Sequence, residues 1–491
     1  MNTFRKLGDE HVGLVLISGR SGIGKTALVN ELHKPIAEQK GYFISGKFNP
    51  LHKQTPYFPI IQAFKQLIKY ILSEGPENIL MWKKRFISHL LPTQMRVMTN
   101  FIPELEWLVG KQKEEVTPLS GEEMHYRFLV SIQHFITVFS KFEQPLVLFM
   151  DDLQWADHAT LDLIQHILLE HDNKYLLVIG AYRDDEVTAG HPFDFLLGKL
   201  REKNIFITDI PIGPLDYDTV HRWLMDIFEF SLGEQELLGR MIYRITKGNP
   251  FFINQLIKSF YHDQIIFFNA DVGKWDIHLD RLNLLSVADT IADYMIRKVD
   301  NSLTAETKEL LQLASCFGNQ FDLKSLAAIT GEKMYLVSEK LWHALEEGII
   351  LPMDANYKWV YLDDDLNLVY AQTPVYMFLH DKMQQTFYES MSIEQREQFH
   401  LQIGRELWRF YMEEKKDDNL FEVVTHLNLV LHYLTEEEKR DVIELNWLAG
   451  ERAKSRAAFA SALAYFKVAT ELLPSDCWFN PLYYECAYKV T

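Results

Sequence analysis

Cysteine is scarce in this 491-residue chain: three occur, at Cys316, Cys477 and Cys486. None forms a CxxC pair, so neither a zinc site nor a disulfide framework is indicated. Such sparse use fits a reducing compartment, read here as the cytoplasm. No uninterrupted apolar stretch reaches the ~18 residues that a membrane helix needs. The opening MNTFRKLGDE has no apolar core of a secretory leader. Positive charge is in deficit, with 50 Lys and Arg against 68 Asp and Glu and a formal net charge of −18. That balance argues against a surface that coats nucleic acid and leaves open a local basic patch. The patterns H-E-x-x-H, G-x-S-x-G and the protein-kinase H-R-D are also missing, which leaves those hydrolase and kinase chemistries without a carrier.

Apolar residues are abundant, at 47% hydrophobic and 13% aromatic, enough for several buried cores. At roughly 150 residues a domain, the length predicts about three. Five short runs, VGLVLIS, GYFISGKF, PLVLFM, YLLVIGAYR and NIFITDIPI, read as strands, with helical periodicity between them. Strands apolar throughout and alternating with helices predict an α/β core, a parallel sheet with helices on both faces, over residues 1–213. Residues 214–301 read as helices with short connections, a helical lid. Residues 302–391 read as three helices, then IILPM, an acidic loop and VYMFLHDKM, the outline of a winged-helix domain. Residues 392–491 read as all helical, with one tetratricopeptide-like unit at AAFASALAYFKVATELLP.

The strongest chemical signal is Gly19, Arg20, Ser21, Gly22, Ile23, Gly24, Lys25 and Thr26, which fits G-x-x-x-x-G-K-[ST] without a mismatch. Glycines let the backbone curl so that successive N–H groups face an anion. The helix that follows, entered at Ala27, aims its positive dipole end at the same place. Lys25 suits the β- and γ-phosphates of ATP, and Thr26 suits Mg²⁺. Asp151 and Asp152 close the strand PLVLFM. A strand that delivers a carboxylate beside such a loop meets the need of a Mg²⁺-bound triphosphate. Asp151 is read as the Mg²⁺ acid and Asp152 as the carboxylate that polarises an attacking water. The alternative is an acidic turn capping the next helix.

Arg183 ends the strand YLLVIGAYR. It is either a γ-phosphate contact at the carboxyl edge of the sheet or a solvated strand-end arginine, and spacing does not choose. Gly248-Asn249-Pro250 is explained as a helix–helix turn. His380 follows an apolar strand and reads as structural, and Asp381 reads as a helix cap or first-turn acid. The charge runs Asp363-Asp364-Asp365 and Glu413 to Asp418 read as solvated loops.

Taken together, ISGRSGIGKTALVNELHKP, GYFISGKF, PLVLFMDDLQWAD, IGAYRDDEV and KGNPFFINQL resemble the ATPase module of the STAND class. These are signal-transduction ATPases with numerous domains, related to AAA and origin-recognition-type ATPases. The likeness is greatest to the central ATPase of large bacterial multi-sensor kinases, which also carry a serine/threonine kinase, a GAF sensor and often a histidine kinase. It runs from about Val12 to the C-terminus.

The resemblance implies that Pro250 in the lid contacts the nucleotide, that His380 touches the ADP β-phosphate, and that Arg183 is a sensor arginine. Asp157 matches a family position without a stated role. Relatives more often carry Glu at the place of Asp152. They also begin with a Gly-Arg-Glu element that frames adenine, where this chain has only MNTFRKLGDEH. Kinase and sensor domains are not in the sequence, so it reads as a fragment, a split gene product or a degenerate copy.

The implied function is an ATP/ADP·Mg²⁺ switch that hydrolyses slowly. Its implied partners are proteins: kinase, GAF or histidine kinase domains, in trans or in a longer chain, with self-association open. No membrane or nucleic-acid partner is expected. The rivals are a winged-helix DNA regulator gated by ATP and a non-catalytic scaffold. Against DNA, the candidate third helix EKMYLVSEKLWHALEEG carries four Glu and two Lys.

Overall fold

The computed structural model describes residues 13–49, 55–112, 121–140, 144–169, 175–228, 232–270, 273–278, 280, 303–353, 356–357, 373–414, 417–481 and 483–490. Five strands form one sheet: β1 (Gly13–Ser18), β2 (Tyr42–Lys47), β3 (Leu146–Asp151), β4 (Leu176–Tyr182) and β5 (Ile207–Pro211). Their order is β2-β3-β4-β1-β5 and every pairing is parallel. The parallel α/β core expected from the apolar runs is therefore present.

Strand side chains alternate between faces, and here both faces are covered. Leu14 and Leu16 of β1 join a large core. Val15 and Ile17 join a second one with Val29 and Ile36, from helices α1 (Lys25–Asn30) and α2 (His33–Glu38). The first face is packed by α3 (Phe58–Ser73), α4 (Pro76–His89), α5 (Pro92–Phe101), α6 (Leu105–Val109), α7 (Gly121–Phe139), α8 (His158–Leu169) and α9 (Pro192–Glu202). In α3, Ile60, Ile61, Phe64, Leu67, Ile68 and Ile71 recur at three- and four-residue spacing and are all buried. Phe64 meets Phe135 and Phe139, and Trp82 and Phe86 complete that aromatic cluster. Each such ring contributes roughly 1.5–3 kcal/mol by leaving water.

After the core come α10 (Tyr217–Ile227), α11 (Leu232–Thr246) and α12 (Pro250–His262). The expectation of helices alone is corrected here. An antiparallel hairpin, β6 (Ile266–Asn269) with β7 (Lys274–Ile277), follows α12. Its Ile-Ile-Phe-Phe run buries Ile266 beneath the helices, so the apolar stretch serves a hairpin and not a longer helix. The next region has α13 (Ala305–Ser315), a short strand β8 (Gln320–Asp322), α14 (Leu323–Thr330), α15 (Met334–Glu346), β9 (Ile350–Pro352) and β10 (Val375–Phe378). The three strands pair antiparallel in the order β8-β10-β9. The sequence reading lacked β8, which is three residues long.

The remainder is helical as expected: α16 (Asp381–Ser390), α17 (Ile393–Glu414), α18 (Asp417–Asn428), α19 (Glu436–Ser455), α20 (Phe459–Glu471) and α21 (Tyr484–Val490). Gly450 lets α19 and α20 meet closely, since a Cβ there would stand 2.4 Å from Phe466. Helix α20 in turn reaches the core at α8. MNTFRKLGDEH, the last part of the lid segment and the acidic run Asp363–Asp365 lie outside the described residues.

Candidate functional site

The loop between β1 and α1 curls as its glycines permit. Gly22 and Gly24 have φ of 75° and 107°, a region costly for other residues. At Gly19 a Cβ would meet the Ile212 carbonyl at 2.5 Å. Lys25 is 7% exposed and folds back to donate to the Gly19 and Arg20 carbonyls at 2.7 and 3.0 Å. Burial lowers its pKa, with Arg183 acting the same way and Asp152 opposing. Its ammonium is bonded to two carbonyls, and an anion in the loop would give a buried charge a stronger partner. Arg20, Thr26 and Ala27 are exposed and Ile23 is buried under the loop.

One strand, β4, separates β1 from β3, yet the start of α1, the helix that follows β1, meets the end of β3. Thr26 Oγ1 donates to Asp151 Oδ2 at 2.9 Å. Burial and the adjacent Asp152 raise the Asp151 pKa, so the acid stands where a cation would relieve it. A hydroxyl and a carboxylate are the oxygen donors that Mg²⁺ accepts. Among the described residues no group of three or more His, Cys, Asp or Glu is placed to hold a metal alone. An ion at this corner therefore needs water or a ligand's own oxygens as well.

Asp152 sits at φ 60°, opening the turn Leu153–Trp155. Its side chain makes no capping bond there. It is 4% exposed, accepts from Gln154 Nε2 at 3.0 Å, and pairs with Lys47 and Arg183 at 3.4 Å each. The capping considered for these acids belongs to Asp157, which accepts from Thr160 N at 2.9 Å to begin α8. Arg183 is buried, lies 4.7 Å over the Trp155 ring, and pairs with Glu186 at 2.7 Å and Asp381 at 2.6 Å. It is thus not the solvated strand-end arginine of one sequence alternative. Lys47 pairs with Asp381 at 3.2 Å.

Two later regions close over the loop. Gly248 holds φ 77° where a Cβ would collide with the Leu215 carbonyl, so the turn before α12 needs glycine. Asn249 caps α12 and donates from Nδ2 to the Ser21 carbonyl at 2.9 Å. Phe251 N points at the Gly22 carbonyl at 3.3 Å. Pro250 occupies the first turn between them. His380, the residue before α16, accepts from Lys382 N at its Nδ1, 2.9 Å away. The neutral ring therefore carries its proton on Nε2, which faces Ser21 Oγ at 3.2 Å. Burial pushes the His380 pKa down to about 4, and the ring lies tilted against Phe251 with centroids 4.2 Å apart.

The structure thus brings the loop, Asp151, Asp152, Arg183, the Asn249–Phe251 turn and His380 to one place. Sequence reasoning passed over Lys47, Gln154 and Phe251, and took Asn249 only as part of a helix–helix turn. Of its two readings of Asp381, cap or first-turn acid, the second holds; His380 is the cap, and the ion pairs of Asp381 with Lys47 and Arg183 were not read. Lys47 was findable, because it ends a parallel strand on the same carboxyl edge that singled out Arg183.

Residues 1–179 match the family model described as an AAA ATPase domain. Over 96% of its length the chain is 25% identical to hybrid signal transduction histidine kinase G of Dictyostelium discoideum, of which it spans 16%. It is 22% identical, again over 96% of its length, to the peroxide stress-activated histidine kinase mak2 of Schizosaccharomyces pombe, of which it spans 20%. The chain therefore corresponds to a minor part of these relatives. Among solved structures, a STAND protein with a tetratricopeptide repeat sensor from Pyrococcus horikoshii aligns over 100% of this chain and 62% of its own, at 14% identity and a TM-score of 0.46. Among the described residues no helix is long and apolar enough to cross a membrane. The parallel sheet and its glycine loop fit the likeness of residues 1–179 to an AAA ATPase domain.

Proposed function

We propose that the chain is an ATP-binding, slowly hydrolysing signalling switch whose nucleotide lies on the Gly19–Ala27 loop. In this reading residues 1–213 are the ATPase core, 214–301 a lid, 302–391 a winged-helix-like clasp and 392–491 a helical repeat-like region that takes up a partner. The observation that carries it is convergence. Asn249 and Phe251 from the second region and His380 from the third contact the loop, and Asp381 from the third pairs with Lys47 and Arg183, the two cations that also pair with Asp152. A loop met by two later stretches makes nucleotide state a property of the whole chain's shape.

The residues divide the work. Lys25 leaves the Gly19 and Arg20 carbonyls to meet phosphate oxygens. Thr26 and Asp151 hold Mg²⁺, and Mg²⁺ when bound neutralises phosphate charge. Asp152 orients water, and its pairing to Lys47 and Arg183 restrains it in the closed form. Pro250 and His380 contact ADP and keep that form. Occupancy biases the shape only by differential affinity for closed and open states. The partners are protein: kinase, GAF or histidine kinase domains in trans or in a longer chain, with self-association in the open state, in the cytoplasm.

A DNA-reading role is less favoured, because Lys340 on α15 is engaged by Glu332 at 2.6 Å and Glu306 at 3.4 Å. The test is calorimetric binding of ADP and of ATP·Mg²⁺ to the full chain and to Lys25→Ala. Tight binding lost in the variant is the expected result, and equal affinity in both removes the proposal. Turnover lost in Asp152→Asn separates a slow ATPase from a scaffold.

A further inference from the structure

Every carbonyl from Gly19 to Gly22 has a donor facing it, and the donors come from two sources. Lys25 Nζ serves Gly19 and Arg20. The Ser21 carbonyl faces Asn249 Nδ2 at 2.9 Å, and the Gly22 carbonyl faces Phe251 N at 3.3 Å. Asn249 also works in the other direction. Its Oδ1 accepts from Phe251 N at 3.1 Å and Phe252 N at 3.4 Å, capping α12. The amide's orientation is fixed by these partners, since only oxygen accepts from N–H and only nitrogen donates to a carbonyl. No cis peptide bond occurs among the described residues. In a trans peptide the C=O and N–H point to opposite sides. Holding the Ser21 carbonyl toward the lid therefore turns the Gly22 N–H away from it.

We propose that Asn249 is a positioning residue that ties the lid to the phosphate loop. One end of its amide starts α12 and the other end sets the Ser21–Gly22 peptide, so that lid closure and the presentation of the Gly22 N–H to an anion are a single event. The inference rests on the nucleotide reading above for its ligand, but the tie itself exists without nucleotide. The two ends of the amide separate by substitution. Asn249→Asp keeps an excellent cap but replaces the donor with an oxygen facing the Ser21 carbonyl. Asn249→Ser keeps a cap and has no second end. Asn249→Ala loses both.

The experiment uses the full chain and reads three quantities: thermal midpoint, hydrogen exchange of residues 19–26 and 250–256 without nucleotide, and release of a fluorescent ADP analogue. For Asn249→Asp and Asn249→Ser we expect an unchanged midpoint and unchanged exchange in α12. The loop should exchange faster, and ADP release should rise on the order of tenfold. Asn249→Ala should in addition lower the midpoint. Loop exchange in Asn249→Asp and Asn249→Ser equal to that of the parent overturns the proposal and leaves Asn249 a helix cap. Faster loop exchange in the two variants, together with a parent chain that binds no ADP, keeps the tie and fells the nucleotide reading instead.

Discussion

Arg183 and Asp381 are 198 positions apart in the chain and 2.6 Å apart in space. The arginine follows a core strand; the aspartate begins a helix beyond the lid. Their side chains are 10% and 19% exposed, so salt screens the pair weakly. Burial acts against both charges, pushing the Arg183 pKa down and that of Asp381 up. Asp152 and Asp381 nonetheless keep the Arg183 pKa raised, and Lys47 and Arg183 keep that of Asp381 lowered. Such a pair contributes little net stability while intact and costs a great deal when half of it is removed.

Asp381→Asn keeps the shape of the first turn and removes one charge from between two cations. We predict that it weakens the closed arrangement by about 1–3 kcal/mol without unfolding the core. Solution scattering should report a more extended chain, and ADP release should quicken. Unchanged scattering and release together would show that the pair is not a clasp.

Asp151 has the opposite sensitivity. Burial and Asp152 raise its pKa, so its charged form is less welcome in the folded chain than in the unfolded one. For a raised folded pKa the contribution to stability is complete below the unfolded value and is lost as pH climbs through the folded one. At neutral pH the free carboxylate is therefore a burden. Asp151→Asn is predicted to raise the thermal midpoint of the ligand-free chain by about 1–3 °C while abolishing any tightening of ATP binding by Mg²⁺. Calorimetry with and without Mg²⁺ checks both, and a lower midpoint counts against the argument.

The sheet was legible because strands buried on both faces read as unbroken apolar runs, as Gly13–Ser18 does. The loop was legible because its chemistry is consecutive in sequence, and Asp151 because a strand delivers it. The ties around the loop were not. Lys47 and Asp381 are 334 positions apart, and Ser21 and Asn249 are 228 apart. No local pattern encodes such pairs; they depend on how the later regions fold back. Strand β8 went unread because three residues cannot display an alternation. The hairpin β6–β7 went unread because its turn lacks the Asn-Gly or Asp-Gly pair that marks a tight turn. Asp157 carried a helix-start signal at Asp-x-x-Thr, and only its backbone partner at Thr160 reveals it as a cap.

A second buried cluster makes stability sensitive to acid. His400 Nδ1 is 2.9 Å from His426 Nδ1, and its Nε2 is 3.0 Å from the Tyr388 hydroxyl. Burial, with Arg396 adding to it, lowers the His400 pKa to about 4. The unfolded chain takes up that proton near pH 6.5, so the stabilisation is full above pH ~6.5 and drains away as pH falls toward ~4. The loss amounts to up to about 3 kcal/mol. His400→Gln, which hydrogen-bonds without titrating, should flatten the thermal midpoint against pH over this window. An equally steep profile in the variant assigns the acid sensitivity to other groups.

Gly248 offers the sharpest separation between backbone strain and chemistry. Its φ is 77°, and a Cβ there would stand 2.0 Å from the Leu215 carbonyl. The Gly248 carbonyl also accepts from Leu215 N at 2.9 Å, so the two backbones are locked side by side. Gly248→Ala must either break that lock or shift the start of α12, at a cost of about 2–4 kcal/mol. Gly233→Ala is the control, since a Cβ there meets nothing within 4 Å. A circular-dichroism melt of both variants should place Gly248→Ala several degrees below the parent and Gly233→Ala within a degree or so of it. The displaced turn carries Asn249 away from Ser21, so Gly248→Ala should also release ADP faster even though residue 248 has no polar side chain to offer. Equal melts for the two variants would mean that the turn relaxes freely and that the contact with Leu215 places no demand on glycine.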